Sequence, residues 1–507
     1  MKDFILFLVL LLIASLLSVV YVSASNVSIA PAPVDVQDIP GTWYLGATPY
    51  EIDYSKSPVV FVQGLHGNAK DWWEDTVYYG KNDMYDYFYS NGYRTAFVQL
   101  EDATGGDAAD MWDNGLLLAD MLKQIYDHFG EKVNIVAHSK GGVDTQTALI
   151  HYDAWPYAND VITLGSPHYG TPLADLAYSW YANWLADLIE RTDEGTYAMQ
   201  TGEMEKFRSI TDNHENTSKN EYYTASGTGW GPVFSALWFG GLYLWGDSDG
   251  LIPESSTRLP YGTHFFQGGD DVDHDNIRIG NISFENIHFL FNEKRPSASI
   301  FENEKSFNPD SLVPEQFVRG SKLPASESIS EVIPVESGNQ QIILEIVTSE
   351  KDVEVILTSP NGKKYNQNDK QYYTYEENNF MRGGHIQTFV IDQPIKGDWN
   401  LDMISSKDDA YFMIAHYKGS NALNIKWSEL EKAANQKPKE DKVNKEKTLK
   451  IDKKIKKEKP KQKEYQGVRK ETQDIIRSEI TNVTYDIIGT TKDGETFYRT
   501  AVRSYFQ

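Results

Sequence analysis

The sequence predicts an α/β fold, a doubly wound and mainly parallel sheet with a helical lid insertion, followed by an all-β sandwich. Three observations carry that expectation. Apolar, strand-like runs alternate with helix-period segments from Ser57 to about Arg295, the order that builds a parallel sheet with helices on both faces. One run, Val133 to Ala137, stops abruptly in His138-Ser139-Lys140-Gly141-Gly142 and gives way to a helix from Val143 to about His151. From Glu331 to Tyr417 the pattern changes to short strands separated by turn residues such as Ser359-Pro360-Asn361-Gly362 and Lys396-Gly397, as in antiparallel sandwiches.

Size and composition set the limits. At 507 residues the chain exceeds what one hydrophobic core supports, so two or three domains are expected. There is no cysteine, which excludes disulfides, a thiolate nucleophile, thiolate metal sites and a lipid-modified cysteine anchor. Lys2, the apolar run Phe4 to Val22 and the small residues Ser23-Ala24 have the layout of a secretory signal peptide over residues 1–24, with 25–56 as a leader. The run is also long enough for an uncleaved anchor; either way the chain is expected outside the cell, secreted or held at its surface. The formal charge is −25, although residues 437–463 hold thirteen lysines against five acids. The acidic body would repel nucleic acid. The lysine tract reads as a solvated spacer, with anionic wall polymer or membrane as the contact it would make.

Taken in order, Ser57 to Val62 is a short apolar run that reads as a buried strand, leading into Gln63-Gly64-Leu65-His66-Gly67-Asn68. Asp71 to Asn91 is aromatic-rich and expected mostly helical, Tyr93 to Leu100 is a strand, and Glu101 to Asp107 an acidic loop. Met111 to Phe129 places Leu116, Leu117, Leu118, Met121, Leu122, Ile125 and Tyr126 at helical spacing. The strand into Ser139 follows directly, and its tight turn accepts only small residues at Ala137, Gly141 and Gly142. Asp160 to Gly165 is the next strand, broken by Ser166-Pro167-His168-Tyr169-Gly170-Thr171-Pro172. A lone Ser-x-Gly is common; a strand before it and a helix after it make it specific.

Ala137-His138-Ser139-Lys140-Gly141 resembles the nucleophile elbow of the α/β-hydrolase superfamily, and the leading alanine is similar to that of secreted Bacillus-type lipases with Ala-x-Ser-x-Gly. The resemblance spans about residues 57–295 and implies Ser139 as nucleophile, with an oxyanion hole of two backbone N–H groups. Lys140, next after the serine, would supply one. In such lipases the other follows a His-Gly pair at the end of the first strand. Counted from the strand, Gln63-Gly64 takes that place and Leu65 donates; counted by letters, His66-Gly67 does and Asn68 donates. Leu65 is preferred, because the strand must stop where the turn begins. The 166–172 segment is similar to the active-site rim of these lipases, and His168 in it reads as a loop-packing residue, not the base.

Leu173 to Gly240 is too long for a simple connection and is read as the lid. Its aromatic residues either face an acyl chain or form the lid's own core. Gly241 to Trp245 is a further strand candidate, and Asp247-Ser248-Asp249-Gly250-Leu251-Ile252 resembles the acid-bearing loop of the lipases. On that match Asp249 is the orienting carboxylate and Asp247 its competitor. For the base the resemblance implies a loop just before the final helix, which ranks His274 first, His288 within that helix second and His264 third. Ser139, Asp249 and His274 stand in the Ser…Asp…His order of this fold. Asp270, Asp271, Asp273 and Asp275 crowd the base loop; such oxygens suit a structural Ca²⁺, but a solvated acidic loop is expected and no cofactor is required.

The catalytic domain is accordingly placed at 57–300, a linker at 301–329, the sandwich at 330–420, a Lys/Glu-rich linker at 430–470 and a β-hairpin element at 478–507 turning at Lys492-Asp493-Gly494. Asp392-Gln393-Pro394 with Gly397 and Trp399 faintly resembles β-modules appended to secreted bacterial hydrolases, and a binding or stabilising role is expected of it. The expected activity is that of a secreted serine hydrolase cleaving carboxylic esters, lipids foremost, through an acyl-enzyme. A surface binding or adhesion protein on an inactive hydrolase scaffold is the alternative. A third reading keeps the chemistry on a polyester, thioester or amide, since fold and triad do not fix the substrate.

Overall fold

The computed structural model describes residues 27–104, 107–182, 193–292, 310–377, 383–420, 422–435 and 449–506. The signal-peptide run, residues 183–192 of the lid, most of the 301–329 linker's first half and residues 436–448 of the lysine tract lie outside these.

Seven strands form the first sheet: β1 (Trp43–Leu45), β2 (Val59–Val62), β3 (Thr95–Val98), β4 (Val133–His138), β5 (Ala158–Leu164), β6 (Glu221–Ser226) and β7 (Gly262–Gln267). Their spatial order is β1-β3-β2-β4-β5-β6-β7, parallel throughout except for β1, which runs antiparallel to β3. β2 explains why its sequence is apolar at every position. Val60 and Val62 pack on one face against Leu118, Met121 and Leu122 of the helix Met111–Phe129. Val59 and Phe61 pack on the other against Phe88 of the helix Met84–Ser90 and Phe284 and Ile287 of the helix Gly280–Asn292. Successive strand side chains point to opposite faces, so a sheet covered on both sides needs an unbroken apolar run.

Four local expectations are corrected. β1 lies within the stretch read as leader. Only Met84–Ser90 and a short turn at Ala69–Trp72 are helical between residues 71 and 91 and just before. β6 falls inside the 173–240 lid range, so the lid is two pieces: helices at Pro172–Ala177, Glu194–Ala198 and Thr201–Thr211 before β6, and one at Ala236–Leu244 after it. Gly241 to Trp245, taken as a strand, belongs mainly to that last helix. A short apolar run does not distinguish the two states by periodicity; here the Ser235 side chain caps the helix by accepting the Trp238 N–H.

The C-terminal region is antiparallel. Strands β8 (Gln316–Leu323), β9 (Ser328–Val335), β10 (Gln341–Thr348), β11 (Glu354–Thr358), β12 (Lys364–Tyr365), β13 (Tyr372–Glu377), β14 (Gly384–Asp392), β15 (Gly397–Ile404) and β16 (Asp409–Lys418) form two sheets, β13-β14-β10-β16-β8 and β12-β11-β15-β9. They begin at Gln316, earlier than the linker reading allowed. The inner faces enclose a core that includes Leu344, Ile346, Leu357, Trp399 and Met413. The outer face of the five-stranded sheet is largely apolar as well, apart from a buried Glu345–His416 pair: Ile343, Val347, Phe412 and Ile414 pack on Leu176, Tyr181, Phe239 and Tyr243 of the lid. Each such side chain taken out of water is worth about 1.5–3 kcal/mol, against roughly 0–1 for an exposed ion pair, so apolar contact dominates this docking.

The third sheet, β17-β18-β19 (Leu449–Glu458, Ile480–Thr490, Thr496–Phe506), contains the expected hairpin. It also corrects the spacer reading of the lysine tract, because residues 449–458 pair with β18 from Leu449 opposite Gly489 to Glu458 opposite Ile480. Leu449 and Ile451 pack onto the sheet's core, and the intervening lysines suit an edge that must not recruit another strand. Among the described residues no helix is long and apolar enough to cross a membrane.

Candidate active site

Three side chains meet beyond the carboxyl end of the sheet: Ser139 directly after β4, Asp249 between β6 and β7, and His274 after β7. Ser139 follows β4 with φ +52° and ψ −134°, a left-handed conformation that a non-glycine residue adopts only where its surroundings impose it. The surroundings are visible in its glycines. A Cβ on Gly141 would lie 2.2 Å from the Gln63 carbonyl oxygen, and one on Gly142 2.2 Å from Ser166 Oγ. The turn is therefore wedged between the β2 and β5 loops, and its serine is held at the sheet's carboxyl end.

His274 Nε2 lies 3.0 Å from Ser139 Oγ, and His274 Nδ1 lies 2.7 Å from Asp249 Oδ2. The other oxygen of Asp249 accepts the N–H groups of Leu251 (3.0 Å) and Ile252 (2.7 Å), and the His274 N–H donates to the Asp249 carbonyl (2.8 Å). The carboxylate is thus held on both sides, and the imidazole faces the serine. Ser139, Asp249 and His274 are all buried. The sequence-ranked trio is brought together. The competitors are not: Asp247 is exposed, His288 pairs with the Tyr93 hydroxyl (3.0 Å), and His264 pairs with Thr224 and Ser226. Burial lowers the His264 pKa to about 3, which leaves it neutral. His168 is fully buried against Thr163 Oγ1 (3.1 Å) and held well below the usual histidine range by burial.

The loop after β2 separates the two oxyanion alternatives geometrically. The His66 N–H donates to Asp102 Oδ1 (3.3 Å), Gly67 N–H to the Gly64 carbonyl (3.1 Å) and Asn68 N–H to Asp71 Oδ2 (3.2 Å). Asn68 is thereby occupied in capping a helical turn, while among the described residues no hydrogen bond engages the Leu65 N–H. A Cβ on Gly64 would lie 2.9 Å from Ser139 Cβ, so this loop abuts the serine. Lys140 is the first helical residue, and its N–H has no intrahelical acceptor.

Two contributors carry no signal in the sequence. His138 Nε2 lies 2.9 Å from the His274 carbonyl oxygen. Burial, then the neighbouring His274 and Arg278, holds His138 well below the usual histidine range, so a neutral ring donates to and braces the His274 loop. Gly165, at φ +59°, is the second: a Cβ there would lie 2.9 Å from Asp249 Oδ2 and 3.3 Å from His274 Nδ1. Gly165→Ala is expected to lower kcat on a soluble ester at least about tenfold, since a displacement of about 1 Å at reacting groups costs up to about a hundredfold. Steady-state kinetics beside circular dichroism checks it; unchanged kcat would mean the pair tolerates the intrusion.

The acidic base loop is not a solvated one at all four positions. Asp273 and Asp275 are buried: Asp273 accepts the N–H groups of Asp275 and Asn276 and the Tyr79 hydroxyl, while Asp275 accepts from Tyr78 N–H and Arg278. Burial raises the Asp273 pKa to about 6. Their oxygens are committed to stiffening the loop. Among the described residues Asp110, Asp113 and Glu194 bring carboxylate oxygens within 4.8 Å of one another, but the Lys463 ammonium sits between them, 2.5 Å from Glu194, 3.4 Å from Asp110 and bonded to Asp113.

A cavity of about 530 Å³ opens beside the serine, a size that accommodates a drug-sized ligand. Leu65, Leu173, Leu176, Phe239 and Tyr243 line it from the first domain and lid, and Val347, Phe412 and Ile414 line it from the sandwich. The large apolar side chains of the lid thus divide: Phe239 and Tyr243 face the cavity and the sandwich, whereas Met204 and Phe207 pack with Trp112 and Val143.

Comparison with known proteins agrees with this fold. The PGAP1-like alpha/beta domain family matches residues 53–211. The chain is similar to the Bacillus licheniformis lipase BlEst2 crystallised in propeptide form, at 31% identity and a TM-score of 0.75, covering 92% of this chain and 97% of that one. The mature form of the same lipase aligns at 44% identity over 50% of this chain and 99% of that one, with a TM-score of 0.45. Comparison with curated proteins gives no significant match.

Proposed function

The chain belongs to the α/β-hydrolase family of the Bacillus licheniformis lipase, whose members hydrolyse ester bonds, and from that premise we propose that it cleaves carboxylic esters of lipids through Ser139. The hydrogen-bonded chain Ser139–His274–Asp249 beside an apolar cavity supports this reading most directly. Ser139 Oγ attacks the ester carbonyl while His274 Nε2 takes its proton and then delivers it to the leaving alcohol. Asp249 fixes the imidazole tautomer and stabilises the imidazolium. The N–H groups of Leu65 and Lys140 receive the oxyanion. Water then repeats the sequence on the acyl-enzyme. Hydrolysis of p-nitrophenyl esters from short to long chain tests the proposal: turnover that labels and inhibits with a fluorophosphonate supports it, and absence of both sinks it.

The roof of the cavity favours latency as part of this function. Val347, Phe412 and Ile414 come from the sandwich, and the similar lipase was crystallised in a propeptide form of nearly the same extent. The C-terminal region is proposed to restrict bulky lipid while small esters still reach Ser139. A chain ended at Asn292 is expected to exceed the full chain in kcat/KM on a long-chain ester by about tenfold or more, each factor of ten being about 1.4 kcal/mol of exclusion, with little change on a short one. Equal long-chain activity in the two would contradict the roof's role. The signal-peptide layout supports action outside the cell, and the lysine-rich edge strand offers a surface for anionic polymer.

A further inference from the structure

Lysine is a costly residue to bury, yet Lys140, directly after the nucleophile, is fully buried with its side chain 1% exposed. A neutral side chain of the same length would fill the space, so the ammonium itself needs a reason. Its Nζ lies 3.1 and 3.0 Å from the two oxygens of Asp144, one turn further along the same helix, and 3.6 Å from Asp102 Oδ2. Asn114 Nδ2 bridges the two carboxylates, 2.5 Å from Asp102 and 3.2 Å from Asp144. The remaining oxygen of Asp102 accepts the His66 N–H, and His66 is itself a non-glycine residue at φ +56°, a conformation that needs a tether.

The chain of contacts therefore runs from the Leu65–His66 loop, through Asp102, to Lys140 and the elbow helix. These are the two segments whose N–H groups the proposed reaction uses for the oxyanion, and the backbone alone leaves them on separate loops. We propose that the Lys140 side chain is a positioning residue, an internal strut that with Asp102 and Asp144 fixes the Leu65 and Lys140 N–H groups at the separation the oxyanion requires. The proposal rests on the serine-hydrolase reading. It differs from it in assigning a role to a side chain that touches neither substrate nor triad. Buried polar networks hold one arrangement only when every member is satisfied, and oxyanion donors act through fixed placement.

The test uses the full chain and two substrates, a short p-nitrophenyl ester and its thiono analogue, whose C=S sulfur draws little from an oxyanion hole. Lys140→Met/Asp144→Leu removes the closer ion pair at similar volume, and the buried Asp102 keeps the His66 N–H and Asn114 Nδ2 as donors. The expected result is a fall in kcat on the oxygen ester of about tenfold to a hundredfold, with KM within about twofold and a much smaller fall on the thiono ester. A merely structural role would slow both substrates equally; equal slowing, or unchanged kcat, overturns the proposal. If circular dichroism finds the double variant unfolded, Asp102→Asn carries the test, with the same selective loss on the oxygen ester expected and an equal loss on both overturning. A wild type that neither turns over nor reacts with a fluorophosphonate fails at the earlier step, and removes the hydrolase reading and the strut together.

Discussion

Ser139→Ala is expected to reduce kcat on p-nitrophenyl butyrate by about a millionfold, to the background set by binding and oxyanion contacts, because members of such a triad act as one unit. The fold should survive. Ser139 Oγ bonds to His274, so its removal forfeits about 1 kcal/mol of hydrogen bonding, and alanine fits the wedge formed by Gln63 and Ser166 with no added volume. The melting temperature should therefore move by a few degrees at most. Activity retained within a hundredfold, in a variant whose mass is verified, would place the nucleophile elsewhere.

Asp249→Asn tests the other end of the chain and should cost about ten thousandfold in kcat. The reason is local. One oxygen of Asp249 is committed to the Leu251 and Ile252 N–H groups, so the asparagine carbonyl must stay there and its NH₂ must face His274 Nδ1. A donor opposite Nδ1 selects the tautomer protonated at Nε2, which repels the serine proton instead of accepting it. KM for a soluble ester should hardly change, since the carboxylate is buried behind the imidazole and away from the cavity. A loss smaller than tenfold would mean that the Asp249–His274 contact is structural only.

Much of this site is legible in the sequence. The strands at Val59–Val62, Val133–Ala137 and Val161–Leu164 announce themselves because a parallel strand buried on both faces is apolar at nearly every position, Asn134 and Thr163 being the exceptions here. Ser139, Asp249 and His274 follow from the resemblance of the segments that carry them to those of lipases, and from their Ser…Asp…His order along the chain. What the letters lack is anything set by a distant neighbour. β6 reads Glu221-Tyr222-Tyr223-Thr224-Ala225-Ser226, too polar to resemble its neighbours, and becomes a strand because β5 and β7 flank it. β17 is hidden by its lysines, since charge content masks the alternate Leu449 and Ile451. The cavity roof is invisible for the opposite reason. A mostly apolar β10, interrupted by Glu345, is equally consistent with a strand inside a sandwich, and only the packed structure identifies the lid as what Ile343 and Val347 cover. Gly165, His138 and the Asp102–Lys140–Asp144 network are contacts between segments far apart in sequence, which no local pattern encodes.

The most direct measurement is intact-mass analysis of the full chain after reaction with a fluorophosphonate, followed by peptide mapping. A nucleophile at residue 139 predicts one adduct per chain, on the peptide containing Ser139, formed at a rate that falls by orders of magnitude in Asp249→Asn. No adduct, or an adduct on another residue with Ser139 untouched, would contradict it.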